Sequence, residues 1–188
     1  MSNLPNLITI SRLVITAACF IVLERADPHA PDPVMVWWAF GLFVFAAGTD
    51  FLDGWIARRL NAVTMFGRVA DPFADKVLVC GVLVILLKFP AALAVLTTWF
   101  VVVIIAREFL VTTIRGMVES QGHSFPAERL GKIKMVVQTI TAGALLTLVA
   151  GEQRFHDVAV FGFWLTLILT VASGLQYVYR ARVLLVSQ

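Results

Sequence analysis

The chain has 188 residues, of which 60% are hydrophobic and only 14% charged, with a mean hydropathy of +0.88 and a formal net charge of +3. A soluble domain carries about 25% charged residues, so this composition excludes an ordinary soluble domain and points to the lipid bilayer. No basic stripe sits on a soluble recognition fold, which argues against nucleic-acid binding.

Six apolar stretches of roughly 20 residues are each long enough to cross about 30 Å of hydrocarbon. They run over Asn6–Leu23, Val34–Ala57, Val69–Leu87, Ala91–Ile114, Ile133–Ala150 and Val158–Tyr179. Barrel strands would be about ten residues long with alternating polarity, and none occur. The expected fold is therefore an all-α integral membrane protein, a six-helix bundle. Arg12 within the first stretch, with no small-residue cleavage site, argues against a cleaved leader. Without long linkers or repeats, residues 1–188 are expected to form one membrane domain. Cys19 and Cys80 read as small hydrophobes in apolar runs. His29, His123 and His156 fall in connecting segments and read as solvated loop residues.

With a cytoplasmic amino terminus, six crossings return the carboxyl terminus to the same side. The cytoplasmic ends then hold Arg12, Arg58, Arg59, Arg68, Lys76, Arg107, Arg115, Arg129, Lys132, Lys134, Arg180 and Arg182. Only Arg25, Lys88 and Arg154 remain opposite, a strong positive-inside bias. Trp37 and Trp38 are placed in an outer aromatic belt, and Tyr177 with Tyr179 in an inner one.

The second and third spans carry Asp50-x-x-Asp53-Gly54-x-x-Ala57-Arg58, then eight residues, then Gly67-x-x-x-Asp71-x-x-x-Asp75. Positions 50, 53, 54, 57 and 58 share one helix face, and 67, 71 and 75 share another. Acids inside hydrophobic spans are expensive and mark functional sites. Four carboxylates in one hairpin need a cation among them, and hard Mg²⁺ or Mn²⁺ suits oxygen ligands. Asp50 lies about 14 Å from the inner end of its span. A turn over Asn61–Phe66 and Pro72 in the first turn of the next helix complete the expected hairpin. The result is a polar cleft in the cytoplasmic leaflet, open to water and reachable by a lipid. That position suits an enzyme joining a soluble substrate to a membrane-bound one.

This pattern, D-x-x-D-G-x-x-A-R-x8-G-x-x-x-D-x-x-x-D, resembles the signature of the CDP-alcohol phosphotransferases at every specified position. Leu4–Arg12, Ala70–Val77, Ala106-Arg107-Glu108-Phe109 with Arg115, and Gly131–Lys134 are similar to bacterial phosphatidylglycerophosphate synthases. The resemblance implies transfer of a phosphatidyl group from CDP-diacylglycerol to sn-glycerol 3-phosphate, releasing CMP. It also implies two metal ions on Asp50, Asp53, Asp71 and Asp75, with Asp75 doubling as catalytic base. Asp53, Gly54, Ala57, Arg58 and Gly67 would seat the CDP. A homodimer in the bacterial inner membrane, both termini and the site facing the cytoplasm, is implied as well. The physics is compatible: Gly54, Gly67 and Ala57 leave room for a nucleotide, and Arg58 offers a fork of donors.

Arg107 and Arg115 lie eight residues apart on one face of the fourth span, with Arg107 about 12 Å deeper. Arg107 needs a buried anion, and Glu108 points about 100° away. Lys132 and Lys134 open the fifth span and cannot both face the cleft. Arg107, Arg115 and Lys134 are expected to bind the phosphate of the acceptor, with Lys132 next in line. Inositol phosphate and phosphatidylglycerol stay open as acceptors. A cation-coupled transporter is the reading from another class, although inverted repeats and broken helices are not evident.

Overall fold

Leu, Val, Ile, Ala and Phe dominate each apolar stretch, and in hydrocarbon their backbone polar groups must be satisfied within the segment, which a helix does. A computed structural model describes residues 4–60, 65–120 and 129–186, with side chains for 10–49, 73–74, 76–118, 120 and 130–182. The described residues form helices α1 (Leu4–Arg25), α2 (Pro33–Leu60), α3 (Met65–Leu86), α4 (Pro90–Leu93), α5 (Thr98–Ser120), α6 (Arg129–Val149) and α7 (His156–Val186). One 3₁₀ turn, Gln153–Phe155, precedes α7, and no strand occurs among them.

The boundaries follow local chemistry. Pro33 opens α2, where its missing N–H breaks no bond, and the Asp32 carboxylate accepts the Val34 N–H at 2.9 Å. At the end of α6, Gly151 adopts φ +94°, while its N–H reaches the Leu148 carbonyl and that of Glu152 reaches Thr147. This pair of bonds satisfies carbonyls the last helical turn would otherwise leave open.

Two expected boundaries are corrected. The stretch Ala91–Ile114 is not one helix: Pro90 starts the single turn of α4, the chain bends at Ala94 and Val95, and α5 begins at Thr98. Phe89 and Leu96, both fully buried, anchor the two sides of this bend, and their hydropathy hides the break. Helix α3 already begins at Met65, so Pro72 is its eighth residue and not in its first turn.

Helix α6 is central, packing on α2, α3, α4 and α7, while α1 packs on α2 and α3, and α5 on α3 and α7. Small residues allow close approach. A Cβ on Gly81 would overlap the Phe20 ring between α3 and α1, and one on Gly162 would overlap Thr141 between α7 and α6.

Helix α7 is patterned opposite to a helix on a soluble protein. Phe161, Trp164, Ile168, Val171, Leu175 and Val178 form its exposed stripe, whereas Thr166, Thr170, Ser173 and Tyr177 are buried. An apolar outside around a partly polar inside is the arrangement lipid requires. Leu130–Val149 and Gln153–Arg182 are long and apolar enough to cross a membrane, and Pro33–Thr49 and Lys76–Leu86 are shorter apolar stretches among the described residues. Trp38 and Tyr179 are exposed, as belt residues are, but Tyr177 is only 2% exposed and has left the expected belt for the interior.

Candidate active site

Three helices meet at one carboxylate, and a fourth joins through Arg107. The Glu108 side chain on α5 accepts at Oε1 from the Lys134 ammonium of α6 and, at 3.1 Å, from Nη1 of Arg107. Its Oε2 lies 3.7 Å from Nζ of Lys76 on α3. Lys76 also donates to the Thr112 hydroxyl. The second terminal nitrogen of Arg107 donates to Ser173 Oγ of α7 at 2.9 Å, and its guanidinium carbon stands 5.7 Å from the centre of the Tyr177 ring. Arg115, two turns along α5, donates to the Tyr177 hydroxyl at 2.9 Å. Tyr177 thus touches both arginines.

The backbone makes room for this. A Cβ on Gly174 would come within 3.4 Å of Cγ of Arg107, and one on Gly131 within 3.8 Å of its Nη2. Larger residues at these positions on α7 and α6 would press on the guanidinium.

Burial decides what the cluster can do. The Lys134 side chain is 4% exposed, Arg107 10% and Glu108 13%. Charges so placed are costly unless paired. Among the described residues three cations share one carboxylate, an excess of two positive charges. Nε of Arg107 and Nε of Arg115 are buried with no hydrogen-bond partner. The arrangement attracts an anion.

Of the residues expected to bind an acceptor phosphate, Arg107 and Lys134 come together and Arg115 joins them through Tyr177. Lys132 is exposed on α6, away from the cluster, because two residues along a helix turn a side chain by about 200°. The expected mismatch between Arg107 and Glu108 is corrected: their Cα–Cβ directions diverge, yet both side chains are long enough to meet. Asp50, Asp53, Gly54, Ala57 and Arg58 fall on α2, and Gly67, Asp71 and Asp75 on α3, two helices that pack together. Their side-chain placement lies outside the described residues, as does His123.

Sequence reasoning missed the central role of Glu108 and the parts of Lys76, Ser173 and Tyr177. One signal was available for Glu108. A single acid in an apolar span, beside an arginine equally deep, demands partners from other helices.

Helices apolar on the outside around a buried cluster of charges are the pattern of a membrane protein. The sequence profile of the CDP-alcohol phosphatidyltransferases matches residues 2–172, and the chain belongs to this family of membrane enzymes. It is 38% identical over 187 residues to the CDP-diacylglycerol–glycerol-3-phosphate 3-phosphatidyltransferase of Bacillus subtilis, covering 94% of each chain. The protein of the same name from Rickettsia typhi is 34% identical, over 94% of this chain and 96% of the relative. A probable phosphatidylglycerophosphate synthase of Mycobacterium tuberculosis is 35% identical, over 96% of this chain and 82% of the relative.

Proposed function

We propose that this protein transfers the phosphatidyl group of CDP-diacylglycerol to sn-glycerol 3-phosphate, giving phosphatidylglycerophosphate and CMP. The observation that carries the acceptor is the buried excess of cations around Arg107, since a phosphomonoester dianion supplies the charge it lacks. Relatives named for this reaction align with nearly the whole chain, which supports the same acceptor. Phosphatidylglycerol, a diester with a single charge, would leave the cluster half neutralised.

In this reading the chain crosses the bilayer six times, through α1, α2, α3, α5, α6 and α7, while α4 caps one end. Both termini and the cleft face the cytoplasm, in line with the cation bias. Asp50, Asp53, Asp71 and Asp75 form an all-oxygen donor set, which fits Mg²⁺ or Mn²⁺. Such ions, when bound, neutralise charge that builds on a departing phosphate. Asp53, Gly54, Ala57, Arg58 and Gly67 seat the cytidine diphosphate, with Arg58 forking onto phosphate. Arg107 and Arg115 hold the acceptor phosphate, fixing the glycerol so that its free hydroxyl reaches the phosphatidyl phosphorus. Asp75 takes the hydroxyl proton as the oxygen attacks, and the bond to CMP breaks. No Ser, Cys or His lies in the motif, so attack is direct, without a phosphatidyl-enzyme.

The test is CMP release by purified protein given CDP-diacylglycerol, Mg²⁺ or Mn²⁺, and a panel of acceptors. Release should depend on sn-glycerol 3-phosphate and stop on chelation. Release with inositol phosphate or phosphatidylglycerol instead would reassign the acceptor, and flux of solute without CMP would indicate a transporter.

A further inference from the structure

Glu108 takes no part in that chemistry, yet three cations share it. We infer that Glu108 is a positioning residue: with Lys134 and Lys76 it braces α3, α5 and α6 and holds the Arg107 guanidinium for the acceptor phosphate, so that Lys134 acts through Glu108 and not on the substrate. The inference rests on the phosphate-binding reading of the cluster.

Three observations carry it. The Lys134 side chain is almost wholly covered and donates to Glu108 Oε1, so an anion can meet it only by moving the carboxylate. Arg107 spends one terminal nitrogen on that oxygen and the other on Ser173, which fixes the plane of its guanidinium, while Nε stays without a partner. Lys76 grips the carboxylate at Oε2 and is itself tied to Thr112. An acceptor phosphate that displaced Glu108 would leave the acid buried, with no cation other than these three among the described residues. That cost disfavours displacement. Without the carboxylate, three like charges would face one another at low dielectric and move apart.

Wild type, Glu108→Gln, Lys134→Gln and the double variant are compared in two assays. One is CMP release, with KM measured for each substrate; the other is thermal stabilisation by titrated inorganic phosphate. Glu108→Gln should raise the KM for glycerol 3-phosphate about ten- to a hundredfold and shift the phosphate titration similarly. The KM for CDP-diacylglycerol should stay unchanged. Lys134→Gln should show a smaller version of the same split, and Glu108→Asp should recover part of the loss. The double variant should be no worse than Glu108→Gln, because the pair works as a unit.

Losses that add would put Lys134 on the substrate and overturn the brace. A lowered acceptor KM in Glu108→Gln would show a displaceable mimic instead. A parallel rise of both KM values would show a merely structural acid. If Glu108→Gln does not fold, Lys134→Gln and Glu108→Asp still read the split between the two KM values. A wild type stabilised by phosphate but inactive with glycerol 3-phosphate would refute the proposed acceptor alone. A wild type indifferent to phosphate would overturn the brace.

Discussion

Two lysines twelve residues apart meet different fates. Lys76, within α3, shares Glu108 with Arg107 and Lys134 in a largely covered cluster. Lys88, just past the end of α3, has Glu24 as its one acidic partner among the described residues, at 3.5 Å, and donates to its carbonyl at 2.7 Å. The two positions are separated by about 18 Å along the helix direction. At Lys88 the charges balance one to one and the Glu24 side chain is 67% exposed, so the pair is worth about 0–1 kcal/mol. Around Glu108 the cations outnumber the acid among the described residues; Lys76 itself is 34% exposed, but removing the almost wholly covered Lys134 from the set costs about 3–5 kcal/mol. A matched, exposed pair ties two elements together. A covered cluster with more cations than acids among the described residues is what the proposed acceptor site rests on.

The largest effect is expected next to Lys76. Asp75→Asn should lower turnover at least about a hundredfold, the low end of what a positioned base contributes. Binding of CDP-diacylglycerol with metal should survive, because the amide keeps the shape and loses only the proton acceptor. Near-normal CMP release would take the base role from Asp75 and shift the functional weight of this part of α3 onto the cations.

Arg107→Gln comes next and tests whether the excess charge serves the acceptor. A charge-assisted hydrogen bond to an anion is worth about 1.5–3 kcal/mol, so the KM for glycerol 3-phosphate should rise roughly 10- to 150-fold. The KM for CDP-diacylglycerol should change far less. Equal damage to both would place Arg107 in the nucleotide pocket or in folding.

The same contrast explains what the sequence could disclose. The aspartates of α2 and α3 are spaced three, four, seven or eight apart, and helical periodicity alone groups them. The cluster on Glu108 joins residues 26, 32 and 66 positions apart, and no local rule brings Lys76, Lys134 and Ser173 together. Arg107 was legible because its depth demanded an anion. The Arg107–Glu108 pair is not legible from the backbone angle between neighbours, because two long side chains reach across it. Five of the six long apolar runs each fall on a single helix, while Ala91–Ile114 is divided between α4 and α5. The bend at Ala94 and Val95 escaped notice because a hydropathy window cannot distinguish buried Phe89 and Leu96 from residues facing lipid.

A smaller effect is expected at Tyr177. Tyr177→Phe deletes the hydroxyl that accepts from Arg115 and keeps the ring beneath Arg107. Loss of one hydrogen bond of about 1 kcal/mol predicts an acceptor KM raised about fivefold. Tyr177→Leu, which removes the ring as well, should do more. If the two variants are equally impaired, the ring contributes nothing to Arg107.

The smallest effect belongs to Lys88, and it is the control on which the contrast depends. Lys88→Gln removes one positive charge from the chain, as Arg107→Gln does, so any consequence of net charge alone should appear in both. Its partner is mostly exposed, its Nζ reaches the Glu24 carbonyl, and it lies 5.2 Å from the centre of the Phe89 ring. Glutamine retains a donor for the carbonyl, so thermal stability should fall by no more than about 1 kcal/mol, the usual ceiling for an exposed pair. Neither KM should move, because Lys88 lies about 18 Å along the helix direction from Lys76. A rise in the acceptor KM of Lys88→Gln matching that of Arg107→Gln would mean that long-range attraction, and not the buried cluster, governs acceptor binding. Raising the salt concentration separates the two cases, since screening acts over about 10 Å at 0.1 M and weakens exposed charges far more than covered ones.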